Sequence, residues 1–344
     1  MLMLILGRFT LPQKIVAAFI GMMFVAAFYL HIPIPVIFND VLVRLVMNGV
    51  MVLSLVPIMN AGIGINFGLP VAVTAGLLGM CLAVNFRFKG FAGFIIALCF
   101  SIPFSVVFGA IYSYGLNKIK GREEIASAFI GFSVVSAMNI FWATAPFTNP
   151  GMLWPIGGKG MRPTISLEPF FAGTLNRIWA IPIGEFMIPA GMILFFAMLC
   201  SLLFVFFKTR TGKAIIALGE NEVYAVISGI SVEKTRARAV ILSTILGGFG
   251  IVVYAQSYGF IELYDAPLLV AFPAAASILI GGAIIKNNRL MQAVVGTLLF
   301  QTIYIMSSPI ANELLLPESA EILRMFIANA VILYALTTQR PMLR

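Results

Sequence analysis

The side chains best suited to chemistry in this sequence are two carboxylate pairs, Glu123/Glu124 and Glu220/Glu222. Paired carboxylates do general acid–base work when their surroundings split their acidities, or bind a metal together with histidine or cysteine. Neither pair has such company. One histidine, His31, excludes a multi-histidine metal site, and Cys81, Cys99 and Cys200 all fall inside apolar runs, where they read as buried free thiols. G-x-x-x-x-G-K-[ST], G-x-S-x-G and H-E-x-x-H are all absent, so the chain has no P-loop, nucleophile elbow or zinc-protease helix. "GGKG" at 157–160 is too short to cradle a phosphate. The chain is therefore expected to be no enzyme and to bind no metal or cofactor of its own. No Lys/Arg run interleaved with aromatics appears, so no nucleic-acid partner is expected either.

What remains is polar rather than catalytic. "MNAGIGINFGLP", residues 59–70, sets Asn60 and Asn66 around Gly62 and Gly64, with Gly68 and Pro70 beyond. Glycine and proline at that density interrupt a helix. Broken backbone within a membrane is tolerated only where protein or a water-filled cavity covers it, and interrupted apolar segments point to a transporter's pathway. The plainer reading is a short loop between two spans. Asn139, Tyr254, Gln301, Tyr304 and Asn329 lie inside apolar runs. Each can bond a neighbouring helix; together they can line a path for a neutral, hydroxyl-rich solute. The candidate substrate-pathway residues are thus Asn60, Gly62, Gly64, Asn66, Asn139, Tyr254, Gln301 and Asn329. No charged residue falls clearly mid-run, which argues against a proton or sodium relay.

The elements that must position these groups are membrane helices. With 61 % hydrophobic and 10 % charged residues, the chain lies far outside soluble globular composition. It reads as an integral, lipid-embedded protein with all-α polytopic architecture. About ten spans of the necessary length are expected, roughly at 15–31, 43–60, 69–86, 91–115, 124–143, 184–207, 237–256, 267–284, 290–307 and 321–338. The N-terminal "MLMLILGRFTLPQK" has too short an apolar run for a cleavable signal. An excess of Lys and Arg marks cytoplasmic loops, and with the N-terminus inside, 15 of the 22 basic residues fall there. Both termini are then expected in the cytoplasm. Arg87 and Lys89 fall outside on this count, and a re-entrant segment near residue 60 would change that parity.

One transmembrane domain is expected over residues 1–344, halved by a polar external segment at 144–183. Five spans in each of 1–143 and 184–344 make the halves insert upside down relative to one another, the inverted repeat of many transporters. In the external segment Trp154 and Trp179, with Trp142 just before it, read as interfacial anchors. Residues 166–181 are expected to form a surface helix or to dock an external partner.

The longest cytoplasmic loop, 208–238, contains "GKAIIALGENEVYAVISGI". A first helical stretch is expected to break at Gly219. Glu220 or Asn221 then caps a second short helix with an apolar stripe of Val223, Tyr224 and Ile227. Gly229 is a natural terminator, and Ser231 caps the following span. About eight residues of helix are too few to stand alone, so this one needs a surface from its own chain or from a partner.

This region resembles the signature of bacterial ABC-importer permeases of the ribose/galactose, nucleoside and branched-chain amino acid group. The resemblance runs through Thr211, Gly212, Ala217, Gly219, Glu220, Asn221, Ala225, Ser228, Gly229 and Ile230, and continues at Gly247, Gly248, Tyr254 and Ala255. Chain length, span count, the glycine-broken segment and "LIGGAIIKNN" at 279–288 agree with it. Where sugar members carry G-I-D-L-S-x-G, this chain has Gly62-Ile63-Gly64-Ile65-Asn66-Phe67-Gly68, with glycine in the aspartate's place. The resemblance implies a bacterial inner-membrane permease that pairs with itself or a related permease. It implies cytoplasmic ABC ATPase subunits that use ATP and Mg, and an external or periplasmic solute-binding protein. Gly219, Glu220, Asn221, Glu222, Tyr224, Ser228 and Gly229 would then form the ATPase-coupling site. The cargo expected is a small neutral solute, a sugar or nucleoside. The rival reading is an ATP-independent facilitator or secondary transporter.

Overall fold

The computed structural model describes residues 11–155, 158–184, 186–282 and 289–314, with scattered positions between 322 and 334. The chain divides into two compact units, one of Val46–Ala180 with Pro189–Ala271, the other of Met1–Leu45, Ile181–Ile188 and Phe272–Arg344.

In the first unit the core is three helices: α3 (Leu69–Asn85), α4 (Gly90–Lys118) and α10 (Val232–Tyr258), each packed on the other two. They follow α1 (Leu11–Tyr29) and α2 (Ile34–Asn60); α5 (Glu123–Thr144) packs on α3 and α4. Small residues set the closeness of the core. A Cβ on Gly76 of α3 would meet the Gly248 carbonyl of α10 at 2.5 Å, and one on Gly79 would meet the Ser101 backbone nitrogen of α4 at 2.5 Å. Between membrane helices close backbone approach supplies the packing that the hydrophobic effect does not. Along α3 only Leu82 and Asn85 escape full burial. By contrast α4 and α5 expose rows of Ile, Phe and Val, and α7 (Ala190–Lys208) exposes Leu194, Met198, Leu202, Phe204 and Val205, as lipid-facing helices do.

The ends of this unit are chemically distinct. At one, Asn85 of α3 accepts from the Thr148 backbone N–H at 2.9 Å, and Gly90 of α4 donates to Phe170 at 2.8 Å. Strand β1 (Thr164–Ser166) pairs antiparallel with β4 (Phe260–Glu262) there, beside the short helix α6 (Thr174–Arg177). At the other end are the α2–α3 and α4–α5 loops, then α8 (Arg210–Glu220) and α9 (Glu222–Ile227). Arg87 and Lys89 belong to the first of these ends, with segment 144–180.

In the second unit α12 (Arg289–Leu314) packs on α1. Gln13 donates to the Gly281 carbonyl at 2.6 Å, just past α11 (Ala271–Ile280). A Cβ on Gly296 of α12 would meet the Ser277 carbonyl, another glycine-mediated helix contact. Strands β2 (Ala180–Ile183) and β3 (Phe186–Pro189) form a second two-stranded sheet.

The chain is mostly helical, with two small two-stranded sheets. Six described helices are long and apolar enough to cross a membrane, and three shorter apolar helices accompany them. Some expected boundaries are corrected. The span expected at 267–284 is a 3-10 turn at Ala266–Leu269 followed by α11, with Pro267 and Pro273 restarting the backbone. The expected span 321–338 and residues 283–288 of the glycine loop fall largely outside the described residues. Helix α2 begins at Ile34 rather than near 43, with Pro35 in its first turn, where a missing N–H costs nothing. That extension adds Asp40 to the helix, four residues before Arg44 and electrostatically coupled to it. Segment 166–181 is not one surface helix: Gly173, at φ +62°, breaks it. Cys81 is buried, but Cys99 is exposed on the outer face of α4.

Candidate functional site

The polar loop between α7 and α10 is built by its caps. Thr209 ends α7 and accepts from the Gly212 N–H at 3.2 Å to start α8. Helix α8 buries Gly212, Ile215 and Leu218 against the bundle. It runs through Gly219 to Glu220, so the expected break at Gly219 moves to Asn221. Asn221 ends α8, and its side-chain Oδ1 accepts from the Tyr224 N–H at 3.0 Å to cap α9. The end of α9 is a Schellman motif. Gly229 at φ +79° donates to Val226 at 2.9 Å and Ile230 donates to Ala225 at 2.9 Å, past Ser228 as C-cap.

Only Ala225 of α9 faces inward; Val223, Tyr224, Val226 and Ile227 are 70, 65, 54 and 80 % exposed. This is the predicted stripe, widened by Val226. Because α9 has six residues, its caps hold it more than its length does. Asn221→Ala is expected to cost about 1 kcal/mol of local stability, read as faster hydrogen exchange at residues 222–228 with unchanged exchange in α10.

Four contacts fasten this loop. Glu222 meets Lys120 of the α4–α5 loop at 3.2 Å, both half-exposed. Arg236 of α10 meets Glu123 at 2.7 Å, both almost fully buried. Asn117 donates to the Glu233 carbonyl at 3.2 Å. Gly219 crosses the α2–α3 loop so closely that a Cβ there would overlap the Asn60 carbonyl. The carboxylates that looked unpartnered in sequence are therefore fasteners: Glu123 holds Arg236, and Glu222 holds Lys120.

Of the expected pathway residues, Asn60 closes α2 and Gly62, Gly64 and Asn66 form the α2–α3 loop, at this same end. Gly62 and Gly64 adopt φ +74° and +96°, which only glycine enters freely. Ile65 N–H donates to Glu124 Oε1 at 3.2 Å and Phe67 N–H to Ser127 Oγ at 3.1 Å. Asn66 Oδ1 accepts from Gly68 N–H at 2.9 Å and Tyr112 O–H at 2.5 Å. An apolar core of Ile58, Ile63, Val71, Leu116, Ile215 and Val240 backs all of this.

Asn139 and Tyr254 lie toward the other end. Asn139 donates to Asp265 at 2.9 Å, and the Tyr254 ring lies 5.7 Å from that of Tyr258. Gln301 is buried in α12 of the second unit, where Asn329 is an exposed helical position. Within the first unit, then, Asn60, Gly62, Gly64 and Asn66 lie at one end and Asn139 and Tyr254 toward the other. Unanticipated was a buried amide network beside α6. Gln256 accepts from Leu175 N–H at 3.1 Å and donates to Asn176 at 3.2 Å, and Asn176 donates to Ser257 at 2.8 Å. The available signal was a glutamine inside a span, two residues after Tyr254.

A family model described as "Branched-chain amino acid transport system / permease component" matches residues 37–336. The chain belongs to this family of ABC-transporter permeases. A solved metal-chelate type ABC transporter in an inward-facing conformation is similar in fold, with 12 % identity and a TM-score of 0.50. The similarity covers 95 % of the permease and 99 % of that chain. No curated protein matches it. In ABC transporters of this family the ATPase is a separate subunit, in keeping with a permease that has no phosphate-binding motif.

Proposed function

We propose that this chain is the transmembrane subunit of an ABC importer, with α9 as its coupling helix, seated in a groove of a cytoplasmic ATPase. The observation that carries the reading is the exposed apolar face of Val223, Tyr224, Val226 and Ile227 on a helix capped at both ends. A short helix whose apolar face stands largely exposed needs a partner surface. Its acidic first turn, Glu222, suits a groove with a basic rim. ATP-driven closure of paired ATPases would push on α9 and switch the permease from outward- to inward-facing.

The α9 end faces the cytoplasm in this reading. It carries Lys118, Lys120, Arg122, Lys208, Arg210, Lys213, Lys234, Arg236 and Arg238, against Arg87, Lys89, Lys159, Arg162 and Arg177 at the other end. That imbalance follows the positive-inside rule. Ten spans in two inverted halves, both termini inside a bacterial inner membrane and a dimer of permeases complete the arrangement. A solute-binding protein delivers cargo at the opposite end. The favoured cargo is a small neutral solute, a sugar or nucleoside, since the polar groups within the first unit's helices are mainly amides and hydroxyls. An amino-acid zwitterion is the second reading, favoured by Asp40 and Arg44 one turn apart on α2.

Ile227→Glu is expected to abolish co-purification with the ATPase and ATP-dependent uptake in proteoliposomes, with membrane insertion unchanged. ATP-independent flux through vesicles holding this chain alone would establish a facilitator instead. Uptake of labelled sugars, nucleosides and branched-chain amino acids by the assembled complex separates the cargo readings.

A further inference from the structure

Coupling requires that movement of α9 reach the helices that enclose the solute, and α9 itself touches little of the bundle. We infer that residues 119–124, the α4–α5 loop with the first turn of α5, are a relay that passes movement of the coupling helix to the α2–α3 glycine loop and so to α3. The inference rests on the proposed docking of an ATPase on α9.

The relay is a run of adjacent residues gripping three different segments. Lys120 holds Glu222 of α9 at 3.2 Å, and Glu123 holds Arg236 at the root of α10 at 2.7 Å. One residue further, Glu124 accepts from the backbone N–H of Ile65 at 3.2 Å. Because Glu123 and Glu124 are neighbours in one helical turn, a displacement of one displaces the other. The glycine loop they hold leads directly into α3, the most covered helix of the core. It contains two left-handed glycines, Gly62 and Gly64, and its Asn66 is bonded to Tyr112 of α4. The opposite side of this loop abuts Gly219 of α8. The loop is therefore held between α8, which enters the coupling helix, and α5, which is tied to it. Coupling through contiguous contacts needs such an element, with each link named.

The test uses the permease–ATPase complex in proteoliposomes and reads solute imported per ATP hydrolysed. A variant that merely destabilises the complex lowers both rates together and leaves that ratio unchanged. Lys120→Glu sets two acids face to face at a half-exposed site, so folding is retained. It is expected to lower the ratio about threefold or more, as is Glu124→Ala, which removes the acceptor of Ile65. Glu124→Gln, which keeps an acceptor for Ile65 N–H, is expected to hold the ratio to within about twofold of the unaltered complex. An unchanged ratio in both Lys120→Glu and Glu124→Ala, or a loss in Glu124→Gln as large as in Glu124→Ala, overturns the relay while leaving ATP-driven import standing. Absence of ATP-driven uptake in the unaltered complex overturns the function reading itself, and the relay with it.

Discussion

Gly219→Ala is expected to eliminate ATP-driven uptake and to lower the stability of the permease by about 1–3 kcal/mol, with more if the backbone cannot give. The added Cβ would overlap the carbonyl oxygen of Asn60 and lie 2.9 Å from both the Asn60 carbonyl carbon and the Gly62 nitrogen. All of these are backbone atoms, so no side chain can rotate away. Relief requires separating α8 from the α2–α3 loop, which also pulls α9 from its position. Gly62→Ala meets the same contact from the other side, 3.0 Å from the Gly219 Cα, and adds the strain of φ +74°. Two other glycines supply the contrast. Gly229 has φ +79° but open space around it, so alanine there costs only the left-handed strain, about 1 kcal/mol. Gly21 has open space and no positive φ, and alanine there is expected to be neutral or mildly stabilising. Thermal melting in detergent should rank them Gly219 below Gly229 below Gly21. Equal melting and uptake for Gly219→Ala and Gly21→Ala would refute the close crossing.

That crossing shows what the sequence could and could not disclose. Local rules were enough for most of α9: a cap at Glu220 or Asn221, an apolar stripe of Val223, Tyr224 and Ile227 and a terminating glycine are properties of a short window, and the structure assembles them in that order, choosing Asn221 and adding Val226. The same rules misread Gly219. Glycine was expected to end a helix, because propensity is the only local reason for it. Its reason is a backbone 159 positions earlier, from Asn60 to Gly219. Glu123 was opaque for a like cause, since its partner Arg236 is 113 residues away. The α2 boundary failed differently. Asp40 and Arg44 depress hydropathy where the helix continues, and an apolar-window reading stops there although their i, i+4 spacing suits a helix. The amides in the spans were recognised as polar, but their grouping depends on which helices face one another. Periodicity in a helix covered all round carries little of that information.

Removing Arg236 is the other substitution expected to have a large effect. Arg236 and Glu123 are 6 and 8 % exposed as side chains, and their 2.7 Å contact is supplemented by the Gly121 N–H donating to Glu123 at 2.8 Å. A buried ion pair offsets the loss of two hydration shells and contributes little net stability. Deleting one partner leaves the other charge dehydrated, at a cost of about 3–5 kcal/mol. Arg236→Met alone should therefore lower the melting temperature sharply, because Glu123 stays buried beside an apolar chain. Arg236→Met with Glu123→Leu removes both charges and should recover most of that loss. Stability and transport then part company. The apolar double variant keeps the fold but loses the directional link between α5 and α10, so its melting returns while its import per ATP stays low. If the double variant recovers both, the pair serves stability alone. If it recovers neither, the cost lies in the shape of the site rather than in an unpaired charge.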